Sequence, residues 1–238
     1  MPVPHFTSAS FAFLRSLKRN NRRDWFKARK DIYEREIKAP MLELIAAINR
    51  DLARFAPEMV MQPNKAMLRI YRDIRFSLNK QPYKTHVAAY FKPQGLVRTS
   101  GAGFYMHISP EEVVVAGGAY MPEREQLLAM RMHIATNHER LRMILKNPTL
   151  RKLMDGLEGD QLSGTPKGFA KDHPAEDLLR HKQWAVSTVL APAQAMSPKL
   201  VQEIVTRFRA AWPLVSFLNE PLLTLRKREL QKKAGFFR

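Results

Sequence analysis

Met67-Leu68-Arg69-Ile70-Tyr71-Arg72-Asp73-Ile74-Arg75-Phe76 is where the period of the sequence changes. Upstream, Leu42, Ile45, Ile48, Leu52 and Phe55 recur every three or four residues, the spacing of one helix face. From Met67 the apolar residues fall at every second position, the spacing of a strand with one side on a core. A strand is therefore predicted over about 66–76. It turns Leu68, Ile70, Ile74 and Phe76 inward, with Arg72 among them. Arg69, Tyr71, Asp73 and Arg75 share the other face. Arg72 is expected to pair with a helix carboxylate such as Asp24.

Working outward, the N-terminal side reads as helices. Ser8 or Ser10 caps a first helix with Phe11, Leu14 and Leu17 on its face. Asn20-Asn21 interrupts it, and Asn21 suits the cap of a second helix with Asp24 in its first turn. Pro40 fits the first turn of a third. On the C-terminal side, strands are expected at about 87–92, 103–109 and 111–117, the last two as a hairpin closed by Ser109-Pro110-Glu111. Gly117-Gly118 reads as a turn that ends the hairpin. Helices follow from Pro122 to Leu145, then a glycine- and proline-rich loop over 155–174. A β-prone run at 184–190 comes next, and helices close the chain from Pro198 to about Lys233. Helices, then strands, then helices predict an α+β fold. Its mostly antiparallel sheet of four or five strands is flanked by the N- and C-terminal helices. No repeat or linker divides the 238 residues, so one α+β domain is expected over 1–238.

Composition narrows the function. Forty Lys and Arg against 22 Asp and Glu give a net charge of +18. Without cysteine, a disulfide scaffold, a thiolate metal centre and a cysteine nucleophile are excluded. No apolar run is long enough for a transmembrane segment, and the N-terminal residues lack a secretory pattern. A cytoplasmic location is the expectation. The basic excess peaks over 61–98, where Asp73 alone faces eight cations. It returns in the tail 226–238. Such an excess draws polyanions at long range. Phosphate-binding glycine motifs, a nucleophile elbow and local metal-ligand spacings are missing, so no metal and no cofactor is indicated.

The candidate residues cluster around the quoted stretch. Guanidiniums at Arg69 and Arg75 grip phosphate or carboxylate in pairs, and Asp73 between them is expected to stay ionised and orient them. The loop that follows adds Asn79, Lys80, Tyr83, Lys84 and His86, stiffened by Pro82. Tyr105 and His107 share a face of the third strand. Near Asp73 they would make a proton-shuttling group.

At Arg69-x-x-Arg72-Asp73-x-Arg75-Phe76-x-x-Asn79-Lys80-x-x-Tyr83 the chain resembles a widely distributed bacterial family of conserved hypothetical proteins. Asn20-Asn21-Arg22-x-Asp24-Trp25-Phe26, Gly103-Phe104-Tyr105 and Pro166-Lys167-Gly168-Phe169 resemble it too. The resemblance spans roughly residues 5–230, and the basic tail after Arg226 departs from it. It implies that these residues matter together. It brings no activity, substrate or cofactor.

The expected function is binding of an anionic, phosphate- or carboxylate-bearing ligand by Arg69, Arg72, Asp73, Arg75, Asn79, Lys80, Tyr83 and Lys84. Three alternatives stand beside it. One is a sequence-tolerant nucleic-acid binder. The second is an enzyme on a phosphorylated substrate using Asp73, His107 and Tyr105. The third is a purely structural Arg–Asp network. The sequence leaves the oligomeric state open.

Overall fold

The computed structural model describes residues 5–96 and 101–235, from 225 onward as backbone only. Arg98 and the side chains of the basic tail lie outside the described residues. Helix α1 (Ser8–Arg19) is capped by Thr7, and Ser10 serves as the reciprocal partner in the capping box. The cap thus falls one or three residues before the expected Ser8 or Ser10. Short helices α2 (Arg23–Lys27) and α3 (Lys30–Tyr33) follow, and a π turn over Glu34–Lys38 leads into α4 (Ala39–Phe55). Pro40 sits in the first turn of α4, as its fixed φ and missing N–H favour. Phe13, Phe26 and Tyr33 meet in one aromatic cluster. After α5 (Pro63–Ala66) come an extended stretch, a loop and a return to the first strand.

Four strands among the described residues form one antiparallel sheet in the order β1-β2-β3-β4. They are β1 (Val87–Phe91), β2 (Gly103–Ile108), β3 (Val113–Ala119) and β4 (Trp184–Leu190). The α+β class therefore holds. The predicted strand over 66–76 does not form. Only isolated bridges, Met67 with Ala89 and Tyr71 with Tyr83, tie that stretch to its neighbour. The two bridges are four residues apart on one side and six on the other. That bulge breaks the ladder, and Pro82 has no N–H to restore it. The alternation of exposure nonetheless runs from Arg69 to Arg75, with Ile70 buried. It fails at Phe76, expected in the core and 95% exposed. Gly117-Gly118 also differs from expectation: both residues lie inside β3 rather than in a turn.

Helix α6 (Arg124–Lys146) runs where two helices were expected, with non-helical backbone at Asn137 marking the kink between them. Helices α7 (Pro148–Leu153) and α8 (Glu176–Leu179) flank the glycine-rich loop. The last helix, α9 (Leu200–Gly235), continues through Pro213 and Pro221. No described helix is long and apolar enough to cross a membrane.

The chain packs as two compact units. The first draws on the chain up to Phe91, Tyr105–Val115 and Val189–Thr206. The second draws on Lys92–Phe104, Ala116–Thr188 and the chain from Arg207. In the first, α1 and α4 bury Leu14, Leu17, Ile45 and Ile48, and the strand segments bury Phe91, Met106 and Val115. In the second, Phe104 stacks on Phe208 at 4.6 Å, and buried Trp184 donates its indole N–H to the Leu178 carbonyl.

Three asparagines close the irregular backbone in the same way. Each amide accepts from one residue's N–H and donates to the same residue's C=O, as a paired strand would. Asn49 holds Met61, Asn219 holds Ala102, and Asn21 holds Tyr83.

A basic cavity beside the Arg72–Tyr83 ribbon as the candidate functional site

Everything in this site belongs to the first unit. Arg23 and Lys27 are four residues apart on α2, so they project from one helix face. The extended segment 67–72 pairs loosely with 82–88: Leu68 N donates to Ala88 O at 2.8 Å, Lys84 N to Ile70 O at 2.8 Å, and Arg72 N to Pro82 O at 2.9 Å. Asn21 fixes the other side of Tyr83 with bonds of 2.9 and 3.0 Å. It is not the cap of α2, a position taken by Arg22 with no side-chain bond. The Tyr83 ring stacks on Phe26 at 4.2 Å and meets Tyr71 at 5.4 Å. These contacts wall a cavity of about 390 Å³ lined by Arg23, Lys27, Tyr71, Arg72, Ile74, Pro82 and Tyr83. It presents three cations and no carboxylate. Among the described residues, none of the three makes an ion pair or donates a side-chain hydrogen bond. The expected Arg72–Asp24 pair is missing, since Asp24 lies 3.9 Å from Arg22 instead. Across Tyr71 a second cavity of about 350 Å³ holds Lys30 and Arg69, together with Lys38 already bonded to Glu34.

The remaining expected ligands are spread over the neighbouring loop. Arg75 grips Asp73 through Nε and Nη2 at 3.0 and 2.7 Å. Those bonds, with Arg69 contributing at longer range, pull the Asp73 carboxyl down to about 2. Lys80 donates to the Ile74 carbonyl, and Asn79 accepts from the Gln81 N–H. Lys84 is half-buried, and burial together with Arg69 lowers its pKa. The structure thus brings Arg72 and Tyr83 together with Arg23 and Lys27, which the sequence reading passed over. The i, i+4 spacing of Arg23 and Lys27 beside Asn21 is the signal that could have found them.

His107 lies elsewhere in the unit. Its Nδ1 meets the Tyr105 hydroxyl at 3.1 Å and its Nε2 the Glu112 carboxylate at 3.2 Å. Glu112, not Asp73, is the carboxylate bonded to His107, because the hairpin turn returns it there. The His86 ring packs 4.8 Å from His107. Burial, then His107 and Lys84, push the His86 imidazole down to about 4. Burial lowers His107 as well, against the pull of Glu112. Among the described residues no group of acids and histidines is arranged to hold a metal ion.

His86 carries a pH prediction. The fold favours its neutral form, so the stability it contributes is fully present above the unfolded value near 6.5. That stability is lost as pH falls towards about 4, where the folded imidazole itself protonates. The full shift corresponds to ~3 kcal/mol, and partial exposure reduces this to about 1–2 kcal/mol. Urea midpoints at neutral and acid pH should therefore differ less in His86→Gln than in the wild type. An identical difference in both proteins would show that His86 does not drive the acid limb.

The site is thus an electropositive cavity with aromatic walls in a basic α+β protein. The chain belongs to the DUF2461 family of conserved hypothetical proteins, whose family model matches residues 9–217. Neither the curated proteins nor the solved structures contain a match.

Proposed function

We propose that the protein binds a compact phosphate-bearing anion in the Arg23–Lys27–Arg72 cavity. The observation that carries this reading is the set of three cations around one cavity, without a carboxylate or an internal partner among the described residues. Like charges held this close repel one another, and an anion between them relieves that repulsion. Arg72 offers a planar fork for two phosphate oxygens, Lys27 a point charge and Arg23 a second fork. Tyr71, 52% exposed, leaves a ring open to the non-phosphate part of the ligand. Arg69 and Lys80, on the neighbouring ribbon and loop, add positive charge that raises the local anion concentration. Their effect is screened by salt.

Calorimetric titration with inorganic phosphate and small sugar phosphates tests the reading. Arg72→Ala should weaken binding by roughly 1.5–3 kcal/mol, the scale of a charged hydrogen bond. Arg75→Ala should act only weakly, because Asp73 already holds that guanidinium. Affinities unchanged in both Arg72→Ala and Lys27→Ala would sink the assignment. A short duplex DNA bound with a logarithmic salt slope of about −5 would instead favour the nucleic-acid reading.

A further inference from the structure

Residues 73–81 form a loop hung from the rim of this cavity, closed at its neck by the bond from Arg72 N to Pro82 O. Its tip carries Phe76 and Leu78, 95% and 102% exposed. Scattered exposed apolar residues are ordinary surface. These two are different because they stand two positions apart between Arg75 and Lys80, above a base lined by Arg23, Lys27 and Arg72. The loop's one acid, Asp73, is neutralised by Arg75.

We propose that the loop and the cavity at its base dock the protein onto an anionic phospholipid surface. Phe76 and Leu78 enter the interfacial layer while the cavity's cations take a headgroup phosphate. This rests on the anion-binding reading of the cavity. The geometry suits it. Phe76 is four residues from Arg72, so its backbone reaches at most about 14 Å from the rim. The polar layer on each side of the hydrocarbon is about 5–8 Å deep, and surface-bound segments bury apolar groups about 5–10 Å into that boundary. A tip at the acyl boundary therefore keeps the base within reach of the phosphate layer. Charge agrees, since a net +18 is drawn to an anionic leaflet. A bilayer also fits the tip better than a nucleic acid does. Leu78 has no ring to stack on a base, and the Phe76 ring already faces the Arg75 guanidinium at 5.8 Å.

Sedimentation of the full chain with vesicles tests the proposal, using phosphatidylcholine alone or phosphatidylcholine containing phosphatidylglycerol. Binding is expected to the anionic vesicles only. The double variant Phe76→Ser/Leu78→Ser should lower partitioning about tenfold, and Arg72→Ala about fivefold. Both tip side chains are exposed outside the core, so their replacement leaves the core untouched. Glycerol 3-phosphate in solution forms the second arm. If it binds wild type and not Arg72→Ala while anionic vesicles are ignored, the membrane proposal falls and the anion cavity stands. If neither binds, both fall. Vesicle binding indifferent to Phe76 and Leu78, or retention of a DNA oligonucleotide in place of vesicles, would also overturn the proposal.

Discussion

A Gly118→Ala variant is expected to melt about 10 °C below the wild type, from a loss of about 3–5 kcal/mol in a chain of this length. Gly118 lies in β3 with φ +137°, a conformation that L side chains rarely adopt. A Cβ there would stand 2.2 Å from the Trp184 carbonyl oxygen and 2.6 Å from the Ala185 Cα. Both are backbone atoms of β4, and the Trp184 side chain is fully buried, so neither yields cheaply. Strain and overlap therefore add, and the two strands must part to admit one methyl group. Gly156→Ala is the control, since its Cβ would meet nothing within 4 Å. Thermal melts of the three proteins check this. A Gly118→Ala melt within a degree or two of the control would mean that β3 and β4 do not approach this closely.

The same glycine shows where the sequence stops being legible. Gly117-Gly118 resembles a turn because paired glycines are the common way to end a hairpin. Nothing local reveals that a strand from much later in the chain will pass within contact of that backbone. Strand β2 was legible because its alternation matches what burial enforces: Phe104, Met106 and Ile108 are fully buried, with Tyr105 and His107 between them. Alternation alone, however, describes an extended chain and not a ladder. Residues 69–75 alternate as a strand does, yet the partner carries two extra residues between bridges and a proline that cannot donate. The tip at Phe76 escapes prediction for a related reason, since an apolar residue has no local mark that says which way its loop turns.

The site was half legible. The arginines were recognisable by charge and spacing, but the sequence reading grouped Arg69 with Arg75 on one strand face. In the folded chain Arg75 is held by Asp73, while Arg72 turns to meet Arg23 and Lys27 from a helix some fifty residues earlier. That meeting depends on a tertiary bond no local rule anticipates. Asn21 stands one residue before the α2 cap and spends its amide on Tyr83.

Replacing Asn21 by Leu is expected to cost about 2–4 kcal/mol, because two backbone groups of Tyr83 lose their partner while staying out of water. Asn21 is only 7% exposed, and a leucine fills the same volume without either bond. The cost should rank above that of Asn49→Leu, whose partly exposed amide water can replace. It should match that of Asn219→Leu, which removes the same pair of bonds from Ala102. Urea unfolding orders the three. Phosphate affinity then separates stability from site geometry. Only Asn21→Leu frees Tyr83 from the position in which it stacks on Phe26 and walls the cavity, so only this variant should bind phosphate more weakly while every cation is still in place. If Asn219→Leu loses affinity to the same degree, the loss follows global stability, and the asparagine clamp on Tyr83 does not shape the site.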